Sequence, residues 1–343
     1  MNPEPSATWK MASVWNAALE ERHDRPMTPR AKLWASELGR PPVDLYLKLK
    51  GVAYTNPPNA RALRKFEAGN VYEWIVSLAL KRAGILKDAQ KWSEFQYQGL
   101  LPVSGKADFI AGGVVDYEKA TEFIEFLKRA EIPDVFLRCF DRVILYLKET
   151  YPNGLEEMPL EVKSISAYAM DVLEKTQTTN PMHRRQTFHY LKAMNYKKAN
   201  IIYICRDDLR MMEFAVLNPS HVEDEYKKSI EVISKYYYSE QQPPIEKLII
   251  FDEEYGKFSK NLGVEWSPYL KMLYGFEEPR QYSEIYGKMA PNWNRVIRRV
   301  KDGKKITEKN ELILKEINEM GFNVDEIVSK FKVDASESEE TTE

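Results

Sequence analysis

The chain is expected to fold as a mixed α/β protein, α+β in the way its helices separate from its paired strands, with a central mixed sheet flanked by helices. Three observations carry this expectation. A helical period runs from Asn59 to Gly84, two alternating segments bounded by glycine lie between Lys91 and Gly113, and a strand, helix, strand, strand succession runs from Pro159 to Pro219. A helical insertion and a mostly helical C-terminal extension complete the expected architecture.

Residues 1–50 read as an N-terminal extension, in which SVWNAALEERHDR suits a short helix and GRPPVDLYLKLKG ends in a proline-marked break. The segment NARALRKFEAGNVYEWIVSLALKRAG offers Asn59 as N-cap, apolar residues at 63, 66, 71, 74, 75 and 78, and Gly84 where a helix would stop. Gly69 inside it costs about 1 kcal/mol relative to alanine, which suggests close packing or the approach of a ligand. KWSEFQYQGLLPVSGKADFIAGG then reads as a strand hairpin. TEFIEFLKRA and VFLRCFDRVILYLKET read as two helices with Pro133 between them, an insertion over 113–158. PLEVKSIS is a strand, HRRQTFHYLKAMNY a helix, and ANIIYICRDD and MMEFAVLNP two strands joined near Leu209. A helix continues through ISKYYYSE and breaks at QQPP. The divisions expected are a core at 51–240, a helical extension at 241–333 and a disordered acidic tail at 334–343.

Composition narrows the chemistry. Apolar residues make up 43% and charged residues 30% of the 343, with no apolar run long enough for a membrane span, so a soluble, membrane-free protein is expected. The N-terminus lacks a basic start and an apolar stretch, so export is not expected and the cytoplasm is. Two cysteines, Cys139 and Cys205, and four histidines without ligand spacing supply no set for zinc or an iron–sulfur cluster, which leaves oxygen as the ligand of any metal. The net charge of −2 hides local bias: the last ten residues, DASESEETTE, carry five acids and no base. RVIRRVKDGKK at 295–305 holds six bases against one acid, including Arg298 and Arg299, and MHRRQTFHYLKAMNYKK at 182–198 holds five Lys or Arg and no acid. Such stripes suit either a polyanion site or solvated helix faces.

Alternation on a strand sends Glu161 and Lys163 to one side and Leu160 and Val162 to the other. Asp108 can meet Glu161 if their strands pair. Two carboxylates repel, whereas a divalent cation between them is stabilising, and Mg²⁺ prefers oxygen ligands with water. A lysine beside such an ion orients its water, the nucleophile of phosphodiester hydrolysis. Taken alone, E-x-K on a strand is commonly a surface ion pair worth under about 1 kcal/mol. Gln186 and Tyr190, four apart on a helix beside Arg184 and Arg185, suit the grip of a phosphate backbone, or simply an amphipathic helix packing Phe188 and Leu191.

In order, FEAGNVYEW, GKAD, EVK and QTFHY resemble the motifs of the PD-(D/E)XK nuclease superfamily, and more closely its RecB-like and phage-exonuclease branch, over about residues 59–217. The resemblance implies a restriction-endonuclease-like core and a metal-dependent DNA nuclease. Asp108, Glu161, the Val162 carbonyl and Glu73 would hold Mg²⁺ or Mn²⁺, and Lys163 would ready the water. Gln186, Tyr190, Arg184, Arg185, Arg298 and Arg299 would contact DNA. Branch members often carry histidine where this chain has Glu73, which leaves the role of Glu73 less fixed than that of Asp108. About fifty residues separate Asp108 from Glu161, more than a hairpin needs. An exonuclease of recombination, repair or phage DNA processing is implied, in a prokaryotic or phage-infected cell, with a single-strand-binding protein or recombinase as a further partner. A structure-specific endonuclease of the same fold and a non-catalytic DNA-binding recombination or packaging factor remain alternatives.

Overall fold

The computed structural model of the protein describes residues 11–23, 26–130, 142, 145–253 and 255–330. Contacts divide the chain into two compact units. The first takes Met1–Ala53 and Pro58–Pro243, the second Tyr54–Pro57 and Pro244–Glu343. In the first, α1 (Met11–His23), β1 (Leu33–Trp34), a 3-10 turn (Ala35–Glu37), α2 (Pro42–Leu49) and α3 (Ala60–Arg82) precede the hairpin of β2 (Leu86–Phe95) and β3 (Val103–Gly113). α4 (Tyr117–Arg129), β4 (Leu155–Ile165), α5 (Ala167–Thr176), α6 (Pro181–Ala193), β5 (Lys198–Cys205), β6 (Met211–Leu217) and α7 (Ser220–Tyr238) follow.

The strands form one mixed sheet in the order β1, β3, β4, β5, β6, with β2 paired to β3 as well. β1 runs parallel to β3 and β4 parallel to β5, while β2 with β3, β3 with β4, and β5 with β6 are antiparallel. The expected mixed sheet flanked by helices is what forms. Alternation along β4 sends Leu160 and Val162 into an apolar cluster with Val76, Tyr72 and Leu80 of α3 and Phe109, Ile202 and Ile204 of the sheet. Glu161 points to the other side, where Gln186 of α6 meets it.

α3 starts where its cap predicts. The Asn59 side chain accepts from the Ala62 N–H at 3.0 Å, and Gly84 beyond its end adopts φ +65°. Gly69 is not forced by packing, since a Cβ there would find its nearest neighbour, Ser164 Oγ, at an ordinary 3.9 Å.

Two helices of the first unit escape a reading by pattern. Pro42 occupies the first turn of α2, where a missing N–H costs nothing, and the break expected at the end of GRPPVDLYLKLKG is the turn and loop over 50–59. α5 is only ten residues long and is held by Ser166, whose side chain accepts from the Ala169 N–H. The stretch read as an N-terminal extension supplies β1 to the sheet, and α2 packs on α7. The expected insertion is narrower than 113–158, because β3 reaches Gly113 and β4 begins at Leu155. Of its second helix, residues 145–150 are helical, and the rest, with Cys139, falls largely outside the described residues. So does the acidic stretch 334–343.

The second unit is mostly helical, as expected, but also holds a hairpin of β7 (Ile249–Asp252) and β8 (Lys257–Lys260). α8 (Leu262–Glu265), α9 (Leu270–Tyr274), α10 (Pro279–Lys301), α11 (Glu308–Glu319) and α12 (Val324–Lys330) complete it. Trp293 and Phe258 lie at its centre with rings edge to face, centroids 5.1 Å apart. Asn294 extends the edge of β8, accepting from the Phe258 N–H at 2.6 Å and donating to the Phe258 carbonyl at 2.9 Å. No helix among the described residues is long and apolar enough to cross a membrane.

Candidate active site

The site begins where two strands part. β3 pairs with β4 from Gly113 down to Phe109 opposite Leu160, then with β1 at Ser104 and Val103. Between these stretches the edge of β3 opens into a fork. Asp108 stands at its mouth, and its Oδ2 accepts from the Val162 N–H at 2.8 Å, so a carboxylate continues the ladder where the backbone no longer can.

Glu161 is 2% exposed. Its Oε1 takes Lys163 Nζ at 2.5 Å and the Gln186 amide at 2.8 Å, and the Tyr190 hydroxyl bonds to it as well. Gln186 also donates to the Tyr190 hydroxyl at 2.8 Å. Glu161 Oε2 has no hydrogen-bond partner. Leaving a charged oxygen unpaired in a buried place costs several kcal/mol, so this atom marks a site built for something besides stability.

The electrostatics agree. Burial, then the charges of Glu161 and Glu73, push the Asp108 carboxyl well above its ordinary pKa, against Lys163 and the Val162 N–H. Burial also raises Glu161, and burial followed by the charge of Glu161 raises Glu73 on α3. Burial works to lower the Lys163 pKa, but attraction by Glu161, with Asp108 and Glu73 adding to it, outweighs this and keeps the ammonium charged. Three acids thus repel one another around one cation.

α6 closes the site from beneath, and Gly105 lets it come near. A Cβ on Gly105 would fall 2.9 Å from Tyr190 Cε1 and 3.2 Å from His189 Cδ2. Below lies a neutral relay. His189 Nδ1 meets the Tyr226 hydroxyl at 2.8 Å and its Nε2 meets Ser93 Oγ at 3.2 Å. Burial lowers the His189 pKa to about 4, and burial followed by the Lys163 charge lowers that of His183 to about 3.

Of the residues singled out from sequence, Glu73, Asp108, Glu161, Val162, Lys163, Gln186 and Tyr190 come together here. Gln186 and Tyr190 are buried and turn their polar atoms to Glu161, an arrangement for holding that carboxylate rather than for gripping a phosphate. Arg184 pairs with Glu225 of α7 at 3.0 Å, and the Arg185 guanidinium lies against Gly39, whose φ is +96°. Arg298 and Arg299 belong to the second unit, in the last turn of α10, where Arg299 donates to the Lys305 carbonyl at 2.9 Å.

Gln90 was not foreseen. It holds φ +54° within β2, and its amide nitrogen lies 3.5 Å from both Glu73 Oε2 and Asp108 Oδ1. Backbone strain of this kind gathers at functional sites, and no side-chain pattern announces it.

The donor chemistry suits a hard cation, with carboxylate oxygens, one of them orphaned, and a lysine to offset charge. No group of three or more His, Cys, Asp or Glu side chains among the described residues converges as a finished metal cage. The reason lies in the contacts above: Lys163 holds one oxygen of Glu161, and Asp108 is turned to a backbone N–H.

No family model matches the chain, and no curated protein sequence matches it. Among solved structures, the chain is similar to SSO0001, with 13% identity over 70% of this chain and 90% of that one, at a TM-score of 0.40. It is also similar to the alkaline exonuclease LHK-Exo from Laribacter hongkongensis, with 11% identity over 66% of this chain and 93% of that one, at a TM-score of 0.36, and to the same exonuclease in complex with dAMP, with 10% identity over the same shares at 0.37.

Proposed function

We propose that the protein is a metal-dependent nuclease that hydrolyses phosphodiester bonds in DNA, acting as an exonuclease. The observation that carries this reading is the fork itself: a buried glutamate with an unpartnered oxygen, opposed by a second buried acid and held by a charged lysine. A site designed only for stability would replace such a set with packed apolar groups. The exonuclease preference rests on the motif order, QTFHY included.

Asp108, Glu161 and the Val162 carbonyl would hold Mg²⁺ or Mn²⁺, with Glu73 contributing directly or through water. The ion would supply Lewis acidity and an acidified water. Lys163 is charged and therefore no general base. Its part is to orient the attacking water and offset the charge that gathers on the phosphoryl oxygens. Gln186, braced by its bond to the Tyr190 hydroxyl, fixes the Glu161 carboxylate through Oε1 and leaves Oε2 without a partner. Gln90, spanning Glu73 and Asp108, holds these two acids in register. Arg184, Arg185, Arg298 and Arg299 would draw in the polyanion.

End-labelled linear DNA and closed circular DNA, each with and without Mg²⁺, test the proposal. Loss of linear DNA alone, only with the ion, is expected. Nicking of the circle would indicate an endonuclease. Binding of DNA without cleavage in any divalent ion would leave a DNA-binding factor on a nuclease-like fold.

A further inference from the structure

Beside the fork, on the β1, β3, β2 end of the sheet, lies an aromatic and basic ledge that the chemistry above does not use. Trp92 of β2 is 43% exposed, although it is among the largest apolar side chains and sits on a strand. Its ring meets that of Trp34 of β1 edge to face, with centroids 5.4 Å apart. Lys32 Nζ stands 5.2 Å over the Trp92 ring, and the Arg30 guanidinium stands 5.8 Å over Trp34. The cations are not equivalent. Arg30 pairs with Glu37, and Lys32 pairs at 3.1 Å with Glu94, which also accepts from Ser104 Oγ. Lys106 is exposed, lies directly opposite Trp92 in the ladder, and has no ion pair among the described residues.

Position gives the ledge its meaning. Lys106 precedes Asp108 by two residues on β3, about 7 Å along the strand, and alternate residues of one strand leave it on the same side. The free cation and the exposed indole therefore adjoin the acid of the fork.

We propose that this ledge binds the unpaired nucleotide adjoining the scissile phosphate, Trp92 stacking on its base and Lys106 contacting its phosphate. The proposal rests on the nuclease reading and extends it to a single-stranded segment at the site. Stacking on an aromatic face tolerates any base, and a lone lysine reads charge rather than sequence, so the ledge would bind without sequence preference. Trp34 and Lys32 hold the Trp92 ring in place instead of touching the strand.

Fluorescence anisotropy with a labelled single-stranded oligonucleotide in EDTA tests it, using the full chain unaltered and as Trp92→Ala, Trp92→Phe and Lys106→Ala. Trp92→Ala should weaken binding roughly tenfold, and Trp92→Phe should restore most of it. Lys106→Ala removes an exposed side chain without an ion-pair partner, so the fold is not at risk. It should lower the slope of log affinity against log salt by nearly one. A control at Trp266→Ala, on the second unit and 63% exposed, should change nothing. If the unaltered protein binds and cleaves DNA while Trp92→Ala and Lys106→Ala bind as it does, the ledge is overturned and the nuclease reading stands. Equal losses for Trp92→Phe and Trp92→Ala would also overturn it. If the unaltered protein cleaves linear DNA in Mg²⁺ but binds no single-stranded oligonucleotide, the ledge is overturned and the nuclease reading stands; if it cleaves no DNA either, the nuclease reading falls with it.

Discussion

Glu161 in the first unit and Trp293 in the second are both almost wholly enclosed, at 2% and 0% exposure, yet their surroundings differ in kind. The polar atom of Trp293, Nε1, donates to Glu316 at 3.1 Å, and the rest of the side chain packs among Phe258, Phe322 and aliphatic groups. Glu161 keeps one oxygen without a partner and shares its neighbourhood with two more acids. In the second unit enclosure is a packing solution. In the first it concentrates charge that folding alone does not satisfy, as expected where stability is given up for chemistry.

The sharpest way to break this comparison is Lys163→Ala. It should lower cleavage on the order of a thousandfold, equivalent to about 4 kcal/mol, while leaving DNA affinity within a few-fold in an anisotropy titration. Cleavage at the unaltered rate would mean that the fork is not the reactive site. Trp293→Ala should cost about 3–5 kcal/mol in chemical denaturation, since a large enclosed ring leaves a cavity. A cost below about 1 kcal/mol would show that the second unit is loosely packed.

Acid should separate the regions further. His189, with its pKa lowered to about 4, is buried neutral, so its contribution to stability is present above the unfolded value near 6.5 and is lost as pH falls from there to 4. About 3 kcal/mol is at stake, and His189→Gln should flatten that part of the stability profile. The fork carboxyls have the opposite sign. Their raised values favour folding at acid pH, and this contribution is lost as pH rises through those values without a divalent ion. Asp108→Asn should therefore gain about 1 kcal/mol at pH 8 in EDTA and lose cleavage. Added Mg²⁺ should raise the melting temperature of the unaltered protein but not of this variant. A stabilising response to Mg²⁺ in both would place the ion elsewhere.

Much of this was legible in residues that work locally. Asn59 announced α3, the alternation of LEVKS announced which side chains of β4 would be buried, and the glycines around GKADFIAGG bounded a strand. The cap, the pleat and the turn each act within a few positions, so a sequence carries them openly. The convergence of Asp108 and Glu161 was expected only on condition that their strands paired, and that condition is tertiary. Gln90 lay beyond reach because a positive φ inside a strand and contacts with Glu73 on α3 and Asp108 on β3 leave no mark in the local pattern. Gln186 and Tyr190 were found, but for an outward role. Helical spacing says that two residues share a face and leaves open whether that face meets solvent or a buried carboxylate. GRPPVDLYLKLKG does not announce α2, because proline both ends and begins helices and only the geometry of the preceding residue decides which.

β1 is only two residues long, and it pairs in parallel with a strand some seventy residues further on, completing the edge of β3 below the fork. During synthesis β1 has no partner until β3 has emerged, and the opposite wall waits for β4, which begins at Leu155, 42 residues after β3 ends at Gly113, and then for α6 and β5. A nascent chain that has made every acid of the site but not yet α6 has no Gln186 or Tyr190 to hold Glu161. The proposed site is therefore completed late, once α6 has joined the first unit and closed on its acids.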